Sequence, residues 1–344
     1  MIKKMFIRPN PFVLSPARKF ISYTLLIFWA IVTLLPFYWL VVTVFKLPID
    51  VNTGPKYIPY VDYKPDTHAF DELLFSDVAG NFVTRPYINT ITVALGSSAI
   101  ALLVGSMAAY ALTRFDYRPK PGLILTFALC IGLGVYLYIQ GLSVIVSGVV
   151  ALAAYALIAQ TIGRRFKGSL GNSDIAFWLV SQRMLPPVAV IVPIYVMYQN
   201  LGLLNTRLGL IVAYAAVNLP LVVWFMRDYF QAIPVELEES AFIDGASQYQ
   251  VLWRIVMPLA IPGLIATGII VLIFAWNEYT LALFLTGADT QTMPILVAAQ
   301  NATRGPQWWS ISLLVLMMVA PIVLLSALLE RFIASGILLG AVKG

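Results

Sequence analysis

The chain has 344 residues, of which 60% are hydrophobic and only 11% are charged. A soluble domain carries about a quarter charged residues, so this composition excludes an ordinary soluble protein. The formal net charge of +6 does not indicate nucleic-acid binding, because basic residues also collect in the cytoplasmic loops of membrane proteins. Continuous apolar runs recur along the chain, each long enough to cross a hydrocarbon core. We therefore predict an all-α polytopic membrane protein.

Eight candidate spans follow one another in the sequence. They cover residues 20–44, 87–112, 121–140, 142–162, 175–198, 208–226, 258–276 and 309–333. The N-terminal segment, residues 1–45, contains a first span that is too long for the core of a signal peptide, so we predict that it is retained. A polar loop, residues 46–86, follows it. Only the turn Ile139–Gly141 separates the third and fourth spans, which predicts a hydrophobic hairpin, with one bent or re-entrant element as the alternative.

The distribution of Lys and Arg predicts the orientation of these spans. With the N-terminus inside, the inner segments hold 15 basic residues and the outer segments hold 6. The inner residues are Lys3, Lys4, Arg8, Arg18, Lys19, Arg114, Arg118, Lys120, Arg164, Arg165, Lys167, Arg227, Arg254, Arg331 and Lys343. The outer residues are Lys46, Lys56, Lys64, Arg85, Arg207 and Arg304. Because basic residues favour the cytoplasmic side, we predict that both termini are cytoplasmic.

The usual catalytic and metal-binding patterns are absent from the sequence. The single histidine, His68, has no second His or Cys to pair with it, so we interpret it as a loop residue. The single cysteine, Cys130, lies in an apolar run and is interpreted as a packing residue. There is no phosphate-binding loop of the G-x-x-x-x-G-K-[ST] type, so the chain has no visible site for nucleotide phosphates.

A polar segment, residues 231–258, interrupts the apolar pattern on the predicted cytoplasmic side. Pro234 suits a first helical turn, and the carboxylates that follow it favour the positive end of a helix. Gly245 stands where a left-handed cap would end that helix, and a second helix is predicted over Ser247–Met257. Such a helix–turn–helix either caps the bundle as an amphipathic hairpin or docks onto a cytoplasmic partner, to which it would present small residues, Ser240 and Ala241, beside its carboxylates.

This segment resembles the cytoplasmic signature of binding-protein-dependent ABC importer permeases, E-A-A-x-x-x-G-x(9)-I-x-L-P. The matching residues are Glu239, Ser240, Ala241, Gly245, Ile255, Met257 and Pro258, with every spacing kept. Ser240 departs from alanine and Met257 from leucine. The similarity extends from about residue 87 to the C-terminus. "QRMLPPVAVIVPIYVMYQNLGLLNTRLGLIVAY", "FAWNEYTLALFLT" and "GAVKG" are similar to the carbohydrate-uptake branch, and to its second maltose-type permease.

The resemblance implies a type I ABC importer transmembrane domain over residues 87–334. Six core helices are expected, and the chain departs from that pattern at 117–172, where an extra hydrophobic hairpin is inserted. The implied partners are a second homologous permease, two cytoplasmic ATPases and an extracytoplasmic solute-binding protein. ATP and Mg would bind the ATPases, with no cofactor on this chain. The loop 231–258 would couple to one ATPase, and the tail 335–344 would also reach toward the ATPases.

The sequence also offers candidates for the substrate pathway. Trp276, Asn277, Glu278 and Tyr279 combine aromatic faces with amide and carboxylate groups that suit a polyhydroxylated ligand, although an interfacial aromatic belt with a structural Glu–Arg pair is the alternative. Arg183 would meet a pore ligand or a carboxylate of the partner permease. We therefore expect a permease for a sugar, polyol or sugar derivative in the inner membrane. A self-sufficient ion-coupled secondary transporter is the alternative function, and no catalytic constellation supports an intramembrane enzyme.

Overall fold

The computed structural model describes residues 15–75, 82–162, 166, 168–301 and 305–341, and it gives no side-chain description for Val144 or residues 330–341. The described part is helical and contains no β-strand, as the composition predicts. The helices are α1 (Pro16–Val44), α2 (Pro48–Asn52), α3 (His68–Phe70), α4 (Thr84–Arg114), α5 (Pro121–Ile139), α6 (Val144–Thr161), α7 (Asn172–Ser181), α8 (Pro187–Asn200), α9 (Arg207–Ala232), α10 (Glu236–Ile243), α11 (Gln248–Val251), α12 (Met257–Leu259), α13 (Ile261–Trp276), α14 (Thr280–Leu285), α15 (Met293–Ala299) and α16 (Trp308–Ala341).

Five of the described helices are long and apolar enough to cross a membrane: α1, α4, α5, α9 and the Trp308–Leu329 part of α16. Two bent pairs raise the number to seven if each pair forms one span. In the first pair Asn172–Met184 meets α8 at 90°, and in the second Gln248–Leu259 meets α13 at 74°. The structure therefore gives five to seven candidate spans, where the sequence predicts eight.

The predicted span 175–198 is broken, and its prolines explain the break. Leu185 and Pro186 both have extended backbones between the helical segments. A residue that precedes proline is disfavoured in the helical region, and two successive prolines impose this restriction twice. Similarly, the predicted span 258–276 begins as a helix only at Ile261, because the chain bends after α12. Hydropathy averages across such breaks and does not detect them.

The helices α5 and α6 pack side by side as the predicted hairpin, joined by a turn with Gly141 at φ +94°. The two ends of this hairpin lie close together. Leu170 donates its backbone N–H to the Pro119 carbonyl at 2.9 Å. Asn172 accepts from the Tyr117 N–H at 2.9 Å and donates to the carbonyls of Leu112 and Phe115. Because α6 has 18 residues, it rises about 27 Å, slightly less than the hydrocarbon core.

The described residues divide into two compact units, one within Met1–Thr90 and Gly287–Ala327, the other within Ile91–Thr286 and Leu328–Gly344. In the first unit the polar loop after α1 folds back on that helix, where Tyr63 donates its hydroxyl to the Val42 carbonyl at 3.0 Å. The Asp62 carboxylate accepts the backbone N–H groups of Tyr57 and Ile58, which lower the pKa of Asp62. His68 Nε2 lies 3.8 Å from Glu72 Oε2. This loop is ordered by internal bonds over its described part.

The core of the second unit lies where α4, α9, α13 and the segment after α10 meet. It contains Val222, Met226, Phe230, Val251, Val256 and Val271, all fully buried. Glycine allows the closest approach of α4 to α9, because a Cβ at Gly105 would lie 2.7 Å from Val222 Cβ. Cys130 is buried within the hairpin, in agreement with a packing role. The tail predicted at 335–344 continues α16 as far as Ala341, and residues 342–344 lie outside the described residues.

Alanine substitutions at two helical glycines test this close packing. We expect Gly105→Ala to lower the free energy of unfolding by about 1–3 kcal/mol, because the new methyl group overlaps Val222. Gly132→Ala is the matched control: its Cβ would meet nothing within 4 Å, and alanine is favoured in helices by about 1 kcal/mol. Thermal unfolding of both variants in detergent measures the effect. Equal midpoints for the two variants would contradict the close approach of α4 to α9.

Candidate functional site

The loop between α9 and α13 forms the helix–turn–helix predicted from its capping residues. Its first helix, α10, begins at Glu236, slightly later than the Pro234 start that the sequence favours. Glu236, Glu238 and Glu239 lie in the first turn, where carboxylates are stabilised by the helix dipole. This part of the prediction is confirmed apart from a two-residue difference at the boundary.

The end of α10 is a Schellman motif at Gly245. The backbone N–H of Ala246 donates to the Ala241 carbonyl at 2.9 Å, and that of Gly245 donates to the Phe242 carbonyl at 3.0 Å. Gly245 has φ +84°, a left-handed conformation that costs other residues free energy because of their Cβ. A Cβ at this position would meet no other atom within 4 Å, so backbone conformation alone requires glycine here.

The second helical segment begins after Ser247 and is irregular. Ser247 and Gln250 form a capping box, in which each side chain accepts the backbone N–H of the other residue. A π-helical turn, Leu252–Val256, follows α11. Pro258 has no N–H to offer the Arg254 carbonyl, which provides a physical reason for the widened turn. Pro258 lies within α12 and does not open the next long helix, which is a correction to the expectation from sequence.

The side chain of Glu238 is buried and anchors α10 to the end of α4. Its Oε1 accepts from Arg114 Nε at 2.6 Å, and its Oε2 accepts from the Tyr110 hydroxyl at 2.7 Å. Arg114 Nη2 also donates to the Ile233 carbonyl at 2.9 Å, just before α10. Sequence reasoning missed this role and assigned Glu238 only to the helix end. The available signal was its i, i+3 spacing from Ala241, because both side chains are buried on one face of α10.

The opposite face of α10 is exposed. This outer face consists of Glu236, Glu239, Ser240 and Ile243, which follow the helical spacing of one side. Ile243 is a large apolar side chain, and it is 87% exposed. Ser240 donates its hydroxyl to the Glu236 carbonyl at 2.8 Å and remains at the surface.

The other signature residues are divided between core and surface. Ala241 is packed against the chain's own core, so it is not presented outward with Ser240 as the sequence interpretation supposed. Ile255 is partly buried against the same core, whereas Pro258 is exposed. The signature therefore contributes residues to both sides of the loop.

Arg183 lies within the second unit and is held by the chain itself. Its Nη1 donates to the Val217 carbonyl at 3.0 Å and to Asn218 Oδ1 at 3.2 Å. The guanidinium also lies 4.5 Å from the centroid of the Phe274 ring. Pro220 lies in α9 close to these two acceptors, but the carbonyl that it deprives of an N–H donor is that of Ala216 and not that of Val217. The cation is therefore fixed in position and about half-buried.

The other pathway candidates follow the end of α13. Trp276 is buried, with 5% of its surface exposed, and its ring offers little area to a ligand in this conformation. Asn277 donates to the Ile273 carbonyl at 2.9 Å. Glu278 Oε1 accepts the Leu281 N–H at 2.9 Å at the start of α14, and Tyr279 is partly exposed. No salt bridge within 4 Å joins Glu278 to Arg183 in the described side chains, and the two charges interact over a longer distance.

Removing the buried charge at Glu238 tests the anchor. We expect Glu238→Gln to lower the free energy of unfolding by about 3–5 kcal/mol, because Arg114 is left as an uncompensated buried cation. Glu239→Gln changes the neighbouring, exposed carboxylate and is expected to stay within about 0.5 kcal/mol of the unchanged protein. The paired replacement Arg114→Met with Glu238→Met should recover most of the loss. Equal destabilisation by both single variants, measured by chemical unfolding in detergent, contradicts the anchor.

The sequence profile of one protein family, the binding-protein-dependent transport system inner membrane component, matches residues 163–338, just over half of the chain. The chain is 27% identical to the trehalose/maltose transport system permease protein MalG of Thermococcus litoralis, over 92% of this chain and 94% of that protein. It is 29% identical to the trehalose transport system permease protein SugB of Mycobacterium tuberculosis, over 92% of this chain and 97% of that protein.

The fold is also similar to a solved structure. A chain of a bacterial ABC transporter involved in the import of the acidic polysaccharide alginate matches with a TM-score of 0.59 and 20% identity, over 94% of this chain and 99% of that chain. This likeness supports the fold of an ABC importer transmembrane domain. The dependence of the family on a binding protein does not favour a self-sufficient secondary transporter. The chain therefore belongs to the family of inner membrane components of binding-protein-dependent transport systems, and it is the permease subunit of an ABC importer rather than an enzyme.

Proposed function

We propose that this permease moves a sugar, polyol or sugar derivative across the membrane after delivery by a solute-binding protein. The observation that carries the proposal is the length of the similarity to two sugar permeases, which covers more than nine-tenths of this chain in each case. ATP and Mg would bind separate ATPase subunits, and a second homologous permease would complete the pathway. No cofactor is proposed for this chain.

The outer face of α10 is the proposed contact with one ATPase. Ile243 would enter an apolar part of the ATPase groove, and Glu239 would fix the orientation of the helix by its charge. Ser240 and Glu236 would lie at the same contact. Ala241 and Ile255 would act from the inner side of the loop by setting how closely it lies against the bundle, and Pro258 would act through the turn that it ends.

The buried anchor supports a route for the coupling force. Because Glu238 is bonded to Arg114 and Tyr110, displacement of α10 would pull on α4 as well as on α9. A loop held only by its covalent ends would absorb such a displacement by bending. We therefore propose that α10 and the end of α4 move together when the ATPases close.

Arg183 is the proposed contact with the substrate. A half-buried guanidinium fixed by Val217 and Asn218 needs little reorganisation to bind a hydroxyl or carboxylate oxygen. Asn277, Glu278 and Tyr279 remain proposed contributors to the same pathway. Trp276 is the weakest candidate of this group, because its side chain is buried.

We propose six core helices in the family arrangement, with the hairpin inserted at 117–172, both termini cytoplasmic and the 46–86 loop outside. The first bent pair and α13 would then each supply one core helix, and the segment 231–258 would face the ATPases. The hydrogen bonds between the two ends of the hairpin support an insertion, because they show that the chain enters and leaves the hairpin at nearly the same place.

Reconstitution tests the proposed function. The permease, its second permease and its ATPases are placed in vesicles with radiolabelled trehalose, maltose and sorbitol, and uptake is measured with the loaded binding protein. We expect ATP-dependent uptake of at least one of these compounds and none when the ATPases are omitted. Uptake by this chain alone on a proton or sodium gradient would overturn the proposal, as would ATP-dependent uptake restricted to compounds without a polyhydroxylated part.

The variants Gly245→Val and Gly245→Asn in the same vesicles test the coupling loop. Valine is strained at φ +84°, so we expect Gly245→Val to reduce uptake by about tenfold or more, with the chain still inserted. Asparagine tolerates the left-handed region better, and this control should retain most of the uptake. Full uptake by the valine variant would contradict the coupling role.

A topology reporter fused at Gly141 tests the proposed arrangement of the hairpin. An extracytoplasmic signal is expected if α5 and α6 each cross the membrane, because the turn at Gly141 then lies outside. A second fusion at Gly245 is the control and should report the cytoplasm. A cytoplasmic signal at Gly141 would exclude the eight-span arrangement and favour a re-entrant hairpin.

A further inference from the structure

A cavity of about 230 Å³ lies at the C-terminal end of α1, within the first unit. Its walls are the indole rings of Trp39 and Trp308 together with Thr43, Lys46 and Asp50, all of which belong to that unit. None of these residues is a signature residue of the coupling loop or a candidate for the substrate pathway. The function proposed above therefore does not explain this cavity.

Lys46 is the central feature of this cavity. The residue is 2% exposed, and its Nζ lies 4.2 Å from the centroid of the Trp39 ring and 5.5 Å from that of Tyr63. No carboxylate oxygen of the described residues lies within 4 Å of Nζ. Aromatic faces attract the charge but accept no strong hydrogen bonds, so the three ammonium donors lack protein acceptors in this part of the chain.

Thr43 adds a second polar group that is not satisfied. Thr43 lines the same cavity, and its Oγ1 is buried and has no hydrogen-bond partner among the described residues. Buried hydroxyl and ammonium groups are normally hydrogen-bonded, because desolvation without a partner is costly. Burial also lowers the pKa of Lys46, and Asp50 and Asp62 oppose that shift. The Lys46 ammonium is therefore ready to bond a polar molecule within the cavity.

The lining indicates the chemistry of that molecule. Asp50 is held by an ion pair with Lys56, so the cavity has an acceptor carboxylate opposite a donor ammonium. Lys46 and Lys56 are balanced by Asp50 and Asp62, so the charges around the cavity cancel and favour a neutral ligand over an anion. The two indole rings suit a flat, partly apolar face. The volume lies below that of pockets for drug-sized ligands, so the ligand is small.

We propose that this cavity is a saccharide subsite that binds one neutral sugar ring, with hydroxyl groups bonded to Lys46 and Asp50 and one ring face against Trp308. The subsite lies beyond the first transmembrane helix, on the outer side in the proposed orientation. This inference rests on the proposed function. It adds a second contact for sugar besides the proposed contact at Arg183.

Ligand binding to the full chain in lipid nanodiscs tests the subsite. Saturation-transfer NMR is recorded with D-glucose and with trehalose, and their apparent affinities are compared among four variants. Lys46→Met removes the ammonium, and Val51→Trp fills the cavity without changing any charged or hydroxyl group. Lys64→Met and Val61→Trp are the matched controls, because both residues are exposed in the same loop and neither lines the cavity.

We expect saturable binding that is weakened by about tenfold or more in both cavity variants and is unchanged in both controls. The cavity-filling variant keeps the test decisive if Lys46→Met fails to fold. Binding that is equal in the unchanged protein and in all four variants would place the sugar elsewhere in the chain and overturn the subsite. The absence of any saccharide binding would overturn it too, as would binding of glycerophosphoglycerol, a soluble lipid headgroup, in place of sugar.

The vesicle uptake experiment separates this inference from the proposed function. Uptake of sugar by the reconstituted importer, without cavity-dependent binding, would leave the function standing and remove the subsite. Cavity-dependent sugar binding by a protein that imports no sugar would remove the function and leave the subsite.

Discussion

The buried carboxylate of Glu238 is the constraint on which the position of the 231–258 loop depends. A charge at this depth is tolerated only where hydrogen bonds replace its hydration, and Arg114 and Tyr110 provide them. Arg114 in turn bonds the Ile233 carbonyl, so one cluster fixes both the side chain of α10 and the backbone leading into it. The position of the loop is thus determined by α4, far away in sequence, as well as by its covalent neighbours.

Prolines shape the rest of the second unit by the hydrogen bonds that they cannot make. At Leu185–Pro186 they divide an apolar stretch into two helices at 90°, and near Pro258 they accompany a π-helical turn and a 74° bend. Backbone groups released at such sites need other partners in a membrane. On α9, Arg183 bonds the Val217 carbonyl and the Asn218 side chain, and these two acceptors hold the cation in an otherwise apolar setting.

Local features of this fold could be predicted from the sequence, and long-range pairings could not. The left-handed cap at Gly245, the helix start at Ser247 and the hairpin at Gly141 depend on neighbouring residues, and each was found. The Glu238–Arg114 pair joins residues that are far apart in the chain, and no single sequence reveals such a contact. The cavity at Lys46 was missed for the same reason, because Trp308 lies on a distant helix.

The signature around Glu239 has a buried side and an exposed side, and helical geometry explains why. Adjacent residues of a helix are separated by about 100° around its axis, so Glu238 faces the bundle while Glu239 faces away. Ala241 lies on the inner side, where a small side chain allows α10 to approach the core closely enough for Glu238 to reach Arg114. A larger residue there would separate the two charges before it altered the exposed surface. The small residue of the signature therefore serves the attachment of the loop to its own chain, and the carboxylate of Glu239 stays on the exposed side.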